Sequence, residues 1–162
     1  MRKILIILVA LVLLVLDQTV MPFLAVYDSY ASLVFTFFGL YAVTTDAEDA
    51  VFLALVTGIL QDLLFPYIFG LHTFLNLFLF LAMSRLGNSL KEGKKTLPVF
   101  FVTVAQGIKT LLFLGILYLL GIRGNPLALM IMPAYTFLLA IVLYKRMIAF
   151  GRIPIIKREW KF

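Results

Sequence analysis

The chain has 162 residues, of which 64% are hydrophobic and only 14% charged, with a mean hydropathy of +1.10. That balance lies far outside soluble-domain averages and predicts an integral membrane protein whose spans leave little chain for a catalytic domain. Cysteine is absent, which excludes disulfides, thiol catalysis and cysteine-held metals; one His and eight carboxylates, scattered in sequence, leave little for any other metal site, so neither metal nor cofactor is expected. The formal charge of +6 is read as membrane topology and attraction to anionic lipids, not as nucleic-acid binding.

Six apolar stretches follow in order, and their length predicts helices rather than alternating barrel strands. The first, about Ile4 to Leu24, follows Met1-Arg2-Lys3 and reads as a retained signal anchor, because it is a full span with no small-x-small cleavage site. The second, about Tyr30 to Thr45, is short for a ~30 Å hydrocarbon core and is expected to borrow Tyr27 to Ser29 or to thin the bilayer. Without it the chain would have five spans. The third runs from about Ala47 to Phe65, the fourth from Gly70 to Leu86, the fifth from Leu97 to Leu120 and the sixth from Pro126 to Tyr144. Pro98 and Pro126 suit the first turns of the last two, with Asn125 as N-cap, while Pro133 predicts a kink inside the sixth. The fold class expected is therefore an all-α bundle of about six transmembrane helices forming one domain over residues 1–162.

Orientation follows from Lys and Arg. Arg2, Lys3, Lys91, Lys94, Lys95, Lys145, Arg146, Arg152, Lys157, Arg158 and Lys161 fall on one side of a six-span chain, against Arg123 on the other. That asymmetry puts both termini in the cytoplasm. Arg152, Lys157, Arg158, Trp160 and Lys161, interleaved with isoleucines, also fit a tail lying on anionic headgroups.

Polar residues inside the spans are the candidate site. On the third helix Ala50, Ala54, Gly58 and Asp62 recur every four residues, giving a narrow small-residue face for close helix packing, within the bundle or against a partner's span. Lys109 lies mid-span and needs a carboxylate, with Asp62 the first candidate and Asp17 the second. Asp17, Gln18, Asp62, Gln106 and Lys109 are expected to form one buried polar network, and a proton relay would use the same residue types. His72, one turn before Asn76, is expected to cap or bond a neighbour across the Pro66 to Gly70 connection. No nucleophile–base or paired-carboxylate arrangement suggests an enzyme.

A six-span chain of this size with Asp17-Gln18 in the first helix and Gly58-x-x-x-Asp62 followed by Gly70-x-His72 resembles the MreD family of bacterial rod-shape proteins. The second helix departs from the family's Pro-Asp or Pro-Asn opening and offers Tyr27-Asp28-Ser29-Tyr30 instead. The resemblance implies a non-enzymatic, multi-pass scaffold subunit of the elongasome in the bacterial cytoplasmic (inner) membrane. Its partner would be the single-span protein MreC, within an assembly of MreB, RodA and a class B penicillin-binding transpeptidase that carries out lateral peptidoglycan synthesis and maintains cell shape. A reading from another class is a substrate-binding membrane subunit of a vitamin transporter, which would need a polar pocket open to the outside.

Overall fold

The computed structural model describes residues 2–64, 68–89 and 96–154. Among them are six α-helices and no strand: α1 (Arg2–Thr19), α2 (Leu33–Val43), α3 (Ala47–Leu64), α4 (Leu71–Ser89), α5 (Thr96–Leu119) and α6 (Ala128–Gly151), with a 3-10 turn at Met21–Leu24. Pro22 removes a backbone donor, so the first helix stops at Thr19 rather than continuing to Leu24 as its hydropathy suggests. Regular α6 begins at Ala128, two residues later than expected. Asn125 accepts from the Leu127 amide at 3.1 Å and forms the turn that leads into the helix. Pro133 sits inside α6. α5 and α6 are long and apolar enough to cross a membrane.

The helix that looked too short is the centre of the bundle. Every residue of α2 except Leu33 is buried, and α2 touches each of the other five helices. Phe35, Phe38, Leu40 and Val34 are among the largest fully buried side chains. A helix apolar on all sides belongs in a core. At about 1.5 Å per residue its eleven residues span roughly 16 Å, half of a bilayer's hydrocarbon. Protein on all sides means that its length need not match a bilayer.

Around α2 the outer helices turn apolar side chains outward: Leu8, Val12 and Val15 on α1, Ile59 and Leu63 on α3, Phe74 and Phe78 on α4, Leu111 on α5, Leu138 and Val142 on α6. At one end, Arg2 of α1 pairs with Asp49 of α3, which also accepts from Thr45 at the close of α2. Ser84 of α4 donates to the Thr45 carbonyl at 2.6 Å. Tyr41 and Phe37 meet Phe150 edge-on, which brings the end of α6 to the same place. The start of α1 and the end of α6 thus share one end of the bundle.

Candidate functional site

The α3–α4 pair has the most extensive contact in the bundle, and the reason is local. Gly58 is buried against the backbone of Thr73, where an added Cβ would lie 2.3 Å from the Thr73 Cα. Only glycine lets the two helices come that close. Ala50 and Ala54, both fully buried, continue the same face. The small-residue face is thus internal, so it does not present Ala50, Ala54 or Gly58 to a partner's span.

Asp62 lies one turn beyond Gly58. Its carboxylate accepts from the His72 amide at 2.8 Å, the Thr73 amide at 3.0 Å and the Thr73 hydroxyl at 2.6 Å. Those amides belong to the first turn of α4, where backbone donors have no partner in their own helix. The residue ahead of that turn, Gly70, adopts φ +93°, which favours glycine, and has no side chain to serve as a cap. Asp62 supplies the missing cap from α3, and the negative charge sits favourably at the positive end of the α4 dipole.

Asp17, 4% exposed at the end of α1, does the same for α2. It accepts from the Leu33 amide at 2.6 Å, the Val34 amide at 3.3 Å and the Ser32 hydroxyl at 2.6 Å. Ser32, the N-cap, takes the Phe35 amide with its hydroxyl and the Thr36 amide with its carbonyl. The orphan amides of Leu33, Val34 and Phe35 in the first turn of α2 are therefore satisfied deep in the protein, and the Thr36 amide opens the regular helical ladder.

Lys109 is 5% exposed, and its partners differ from those expected. Its ammonium donates to Asn76 Oδ1 at 2.7 Å and Gln61 Oε1 at 3.0 Å, and lies 4.3 Å from the centre of the Phe35 ring. Among the described residues it makes no ion pair with a carboxylate. The expectation of a direct Lys109–Asp62 or Lys109–Asp17 bridge is corrected: both carboxylates are committed to helix N-termini. The cation instead reaches Asp17 through intermediates. Gln61 Nε2 donates to Ser32 Oγ at 2.9 Å, and Ser32 donates to Asp17. Asn76 Nδ2 in turn donates to Gln61 Oε1 and Thr57 Oγ1. Donors run in one direction from the ammonium to the carboxylate, an arrangement in which each bond polarises the next. One chain of hydrogen bonds thereby ties α1, α2, α3, α4 and α5 together.

The other expected members divide. Gln106 is buried on α5 but bonds Thr110 at 3.2 Å and contacts the Met132 sulfur of α6 at 3.8 Å, apart from that chain. Gln18 is exposed and is not part of the interior network: α1 turns Asp17 inward, which carries its neighbour outward. The His72 ring stacks on Phe113, with centroids 5.0 Å apart, and its backbone amide donates to Asp62. Ser32, Gln61 and Asn76 were outside the expected network although they carry it. Gln61, adjacent to Asp62 and one turn from Thr57, was the sequence signal available. Arg152 caps the end of α6 and is exposed; Lys157, Arg158, Trp160 and Lys161 lie outside the described residues, as do Pro66, Lys91, Lys94 and Lys95.

Above this chain is a cavity of about 390 Å³, lined by Ser29, Tyr30 and Ser32 ahead of α2, by Gln61, Gln106 and Lys109 lower down, and by the loop 122–125. Its apolar wall comes from Phe113, Leu114, Leu117 and Met132. Asn125 donates to the Tyr27 carbonyl at 2.7 Å, joining the two loops at its rim. Among the described residues no cluster of three or more His, Cys, Asp or Glu side chains is placed to hold a metal.

The sequence matches the family model described as rod shape-determining protein MreD over residues 1–153. The chain belongs to the MreD family. No curated protein and no solved structure gives a match.

Proposed function

We propose that this chain is a non-enzymatic scaffold subunit of the rod-shape machinery, crossing the bacterial cytoplasmic membrane six times as one domain with both termini in the cytoplasm. In this reading it binds MreC and, through it, supports the assembly of MreB filaments, RodA and a class B transpeptidase in lateral peptidoglycan synthesis. The observation that carries the reading is the family match across residues 1–153. The topology draws on the Lys/Arg asymmetry, on the meeting of the start of α1 with the end of α6 at one end of the bundle, and on the apolar exterior of the outer helices. With Ala50, Ala54 and Gly58 turned inward, the surface left for a partner span is the lipid-facing exterior. The basic tail would rest on anionic lipid.

The test is genetic and biochemical together. Removing the gene from its rod-shaped host should round the cells, the intact chain should restore rods, and MreC should co-purify with it. Rods without the chain, or no recovery of MreC, would refute the reading. A second reading, a small-molecule-binding transporter subunit, is favoured by one observation, the cavity beside Lys109. Loss of uptake with normal cell shape on removing the gene would select it.

A further inference from the structure

We infer that the cavity beside Lys109 binds a small amphiphile with a single anionic head, carboxylate or phosphate, seated on the Lys109 ammonium and an apolar body along α5. The inference rests on the cavity and does not depend on the scaffold reading. Three observations carry it. At about 390 Å³ the space is within the range of small-ligand sites, at the lower end, so the ligand is small.

The second observation is charge. Among the described lining residues Asp28 is the one carboxylate, exposed at the rim, whereas the cationic members are Lys109 at depth and Arg123 at the rim. The Lys109 ammonium is met by two amide oxygens and an aromatic face and by no carboxylate among the described residues. Asp62 and Asp17 act on this cation only from beyond direct contact, so an anion that reaches the ammonium and is hydrogen-bonded there adds a direct charge partner where attraction is strong. Arg123 at the rim favours entry of the same sign of ligand.

The third observation is the order of side chains along the wall. From Lys109 the lining proceeds outward along α5 through Phe113 and Leu117 to Ile122 in the following loop. Side chains with N–H or O–H donors for an oxyanion (Gln61, Gln106, Thr110) lie at the Lys109 level. Along the α5 wall the side chains above them are apolar, below a polar rim of Asp28, Ser29, Arg123 and Asn125. A head-down, tail-up occupant fits that gradient.

The experiment uses the full-length protein in phosphatidylcholine nanodiscs and octanoate carrying a photoreactive diazirine at its far end. Label mapped by mass spectrometry should fall on Leu117 or Ile122. Unlabelled octanoate or octyl phosphate should compete at least about tenfold better than octanol or octylamine, the discrimination expected of a charge-assisted hydrogen bond. Whichever anion competes better identifies the head. Lys109→Met should lower labelling by about the same factor. Whether or not that variant folds, the competition on the unaltered protein decides the matter alone. Equal competition by the four compounds, label confined to lipid-facing side chains, or label at Gln106 and Thr110 in place of Leu117 and Ile122 would each overturn the proposal.

Discussion

Asp17 and Asp62 close the N-termini of α2 and α4 in nearly the same way, yet the two junctions are built differently. At the α3–α4 junction the carboxylate accepts three hydrogen bonds from two adjacent residues, His72 and Thr73. At the α1–α2 junction the carboxylate shares Ser32 with Gln61, and the contact continues to Lys109 on α5. One junction is a closed clasp between two helices. The other is one end of a chain through five. A buried carboxylate and a buried cation therefore need not touch to be accommodated, provided oriented backbone and amide dipoles take the direct contacts.

The largest effect is expected at the closed clasp. Asp62→Leu leaves two backbone amides and a hydroxyl without acceptors in the interior, at about 1–3 kcal/mol each. The folded fraction recovered in detergent should fall severely. Asp62→Asn, which keeps one acceptor oxygen, should recover part of it. Equal yields of folded protein for Asp62→Leu and the unaltered chain would break the comparison. Next is Gly58→Leu, whose side chain would meet the Thr73 backbone rather than a movable group. Overpacking of this kind costs about 1–3 kcal/mol or more, and thermal unfolding of the purified protein should show it. An unchanged midpoint would mean that α3 and α4 do not approach as described.

Those two residues also show what the sequence makes legible. Gly58, Asp62, Gly70 and His72 fall within fifteen residues, and the helix, turn and helix between them convert that spacing directly into contact. The family resemblance was visible there for the same reason. The Lys109 chain joins residues separated by up to ninety-two positions, from Asp17 to Lys109, and no periodicity within one helix reveals which of several buried polar groups will meet. Charge and matching depth point to Asp62 as the Lys109 partner, whereas the capping needs of α4 claim it. The short apolar stretch of α2 was misleading in a related way: measured against a bilayer it looked deficient, but its surroundings are protein.

Sharpening the other half of the comparison calls for Gln61→Leu. This one side chain holds Ser32, Asn76 and Lys109, and its loss leaves the ammonium with a single amide acceptor. A loss of about 1.5–3 kcal/mol is expected, the value of a hydrogen bond to a charged group, read as the shift in unfolding midpoint. A shift no larger than that of an exposed substitution such as Gln18→Leu would show that Lys109 does not depend on Gln61. The smallest effect should come from the rim of the cavity. Tyr27 and Asp28 both adopt positive φ, at 49° and 57°, in the turn bridged by Val26 and Ser29. Asp28→Gly relieves a conformation that costs an ordinary residue about 1–2 kcal/mol, so a small rise in the unfolding midpoint is expected. A clear fall would assign Asp28 a contact beyond its backbone.

The difference between the two junctions rests on what surrounds the Lys109 ammonium, and solid-state NMR can measure that in a bilayer. With ¹⁵N in the Lys side chain and ¹³C in the Asn, Gln and Asp side chains, dipolar recoupling reports distances from Lys109 Nζ. Hydrogen bonds of 2.7 and 3.0 Å to Asn76 Oδ1 and Gln61 Oε1 should place their amide carbons within about 4 Å of the nitrogen. The carboxylate carbons of Asp62 and Asp17 should lie farther away. A carboxylate carbon of either aspartate as close as that, with the amide carbons beyond it, would contradict the account.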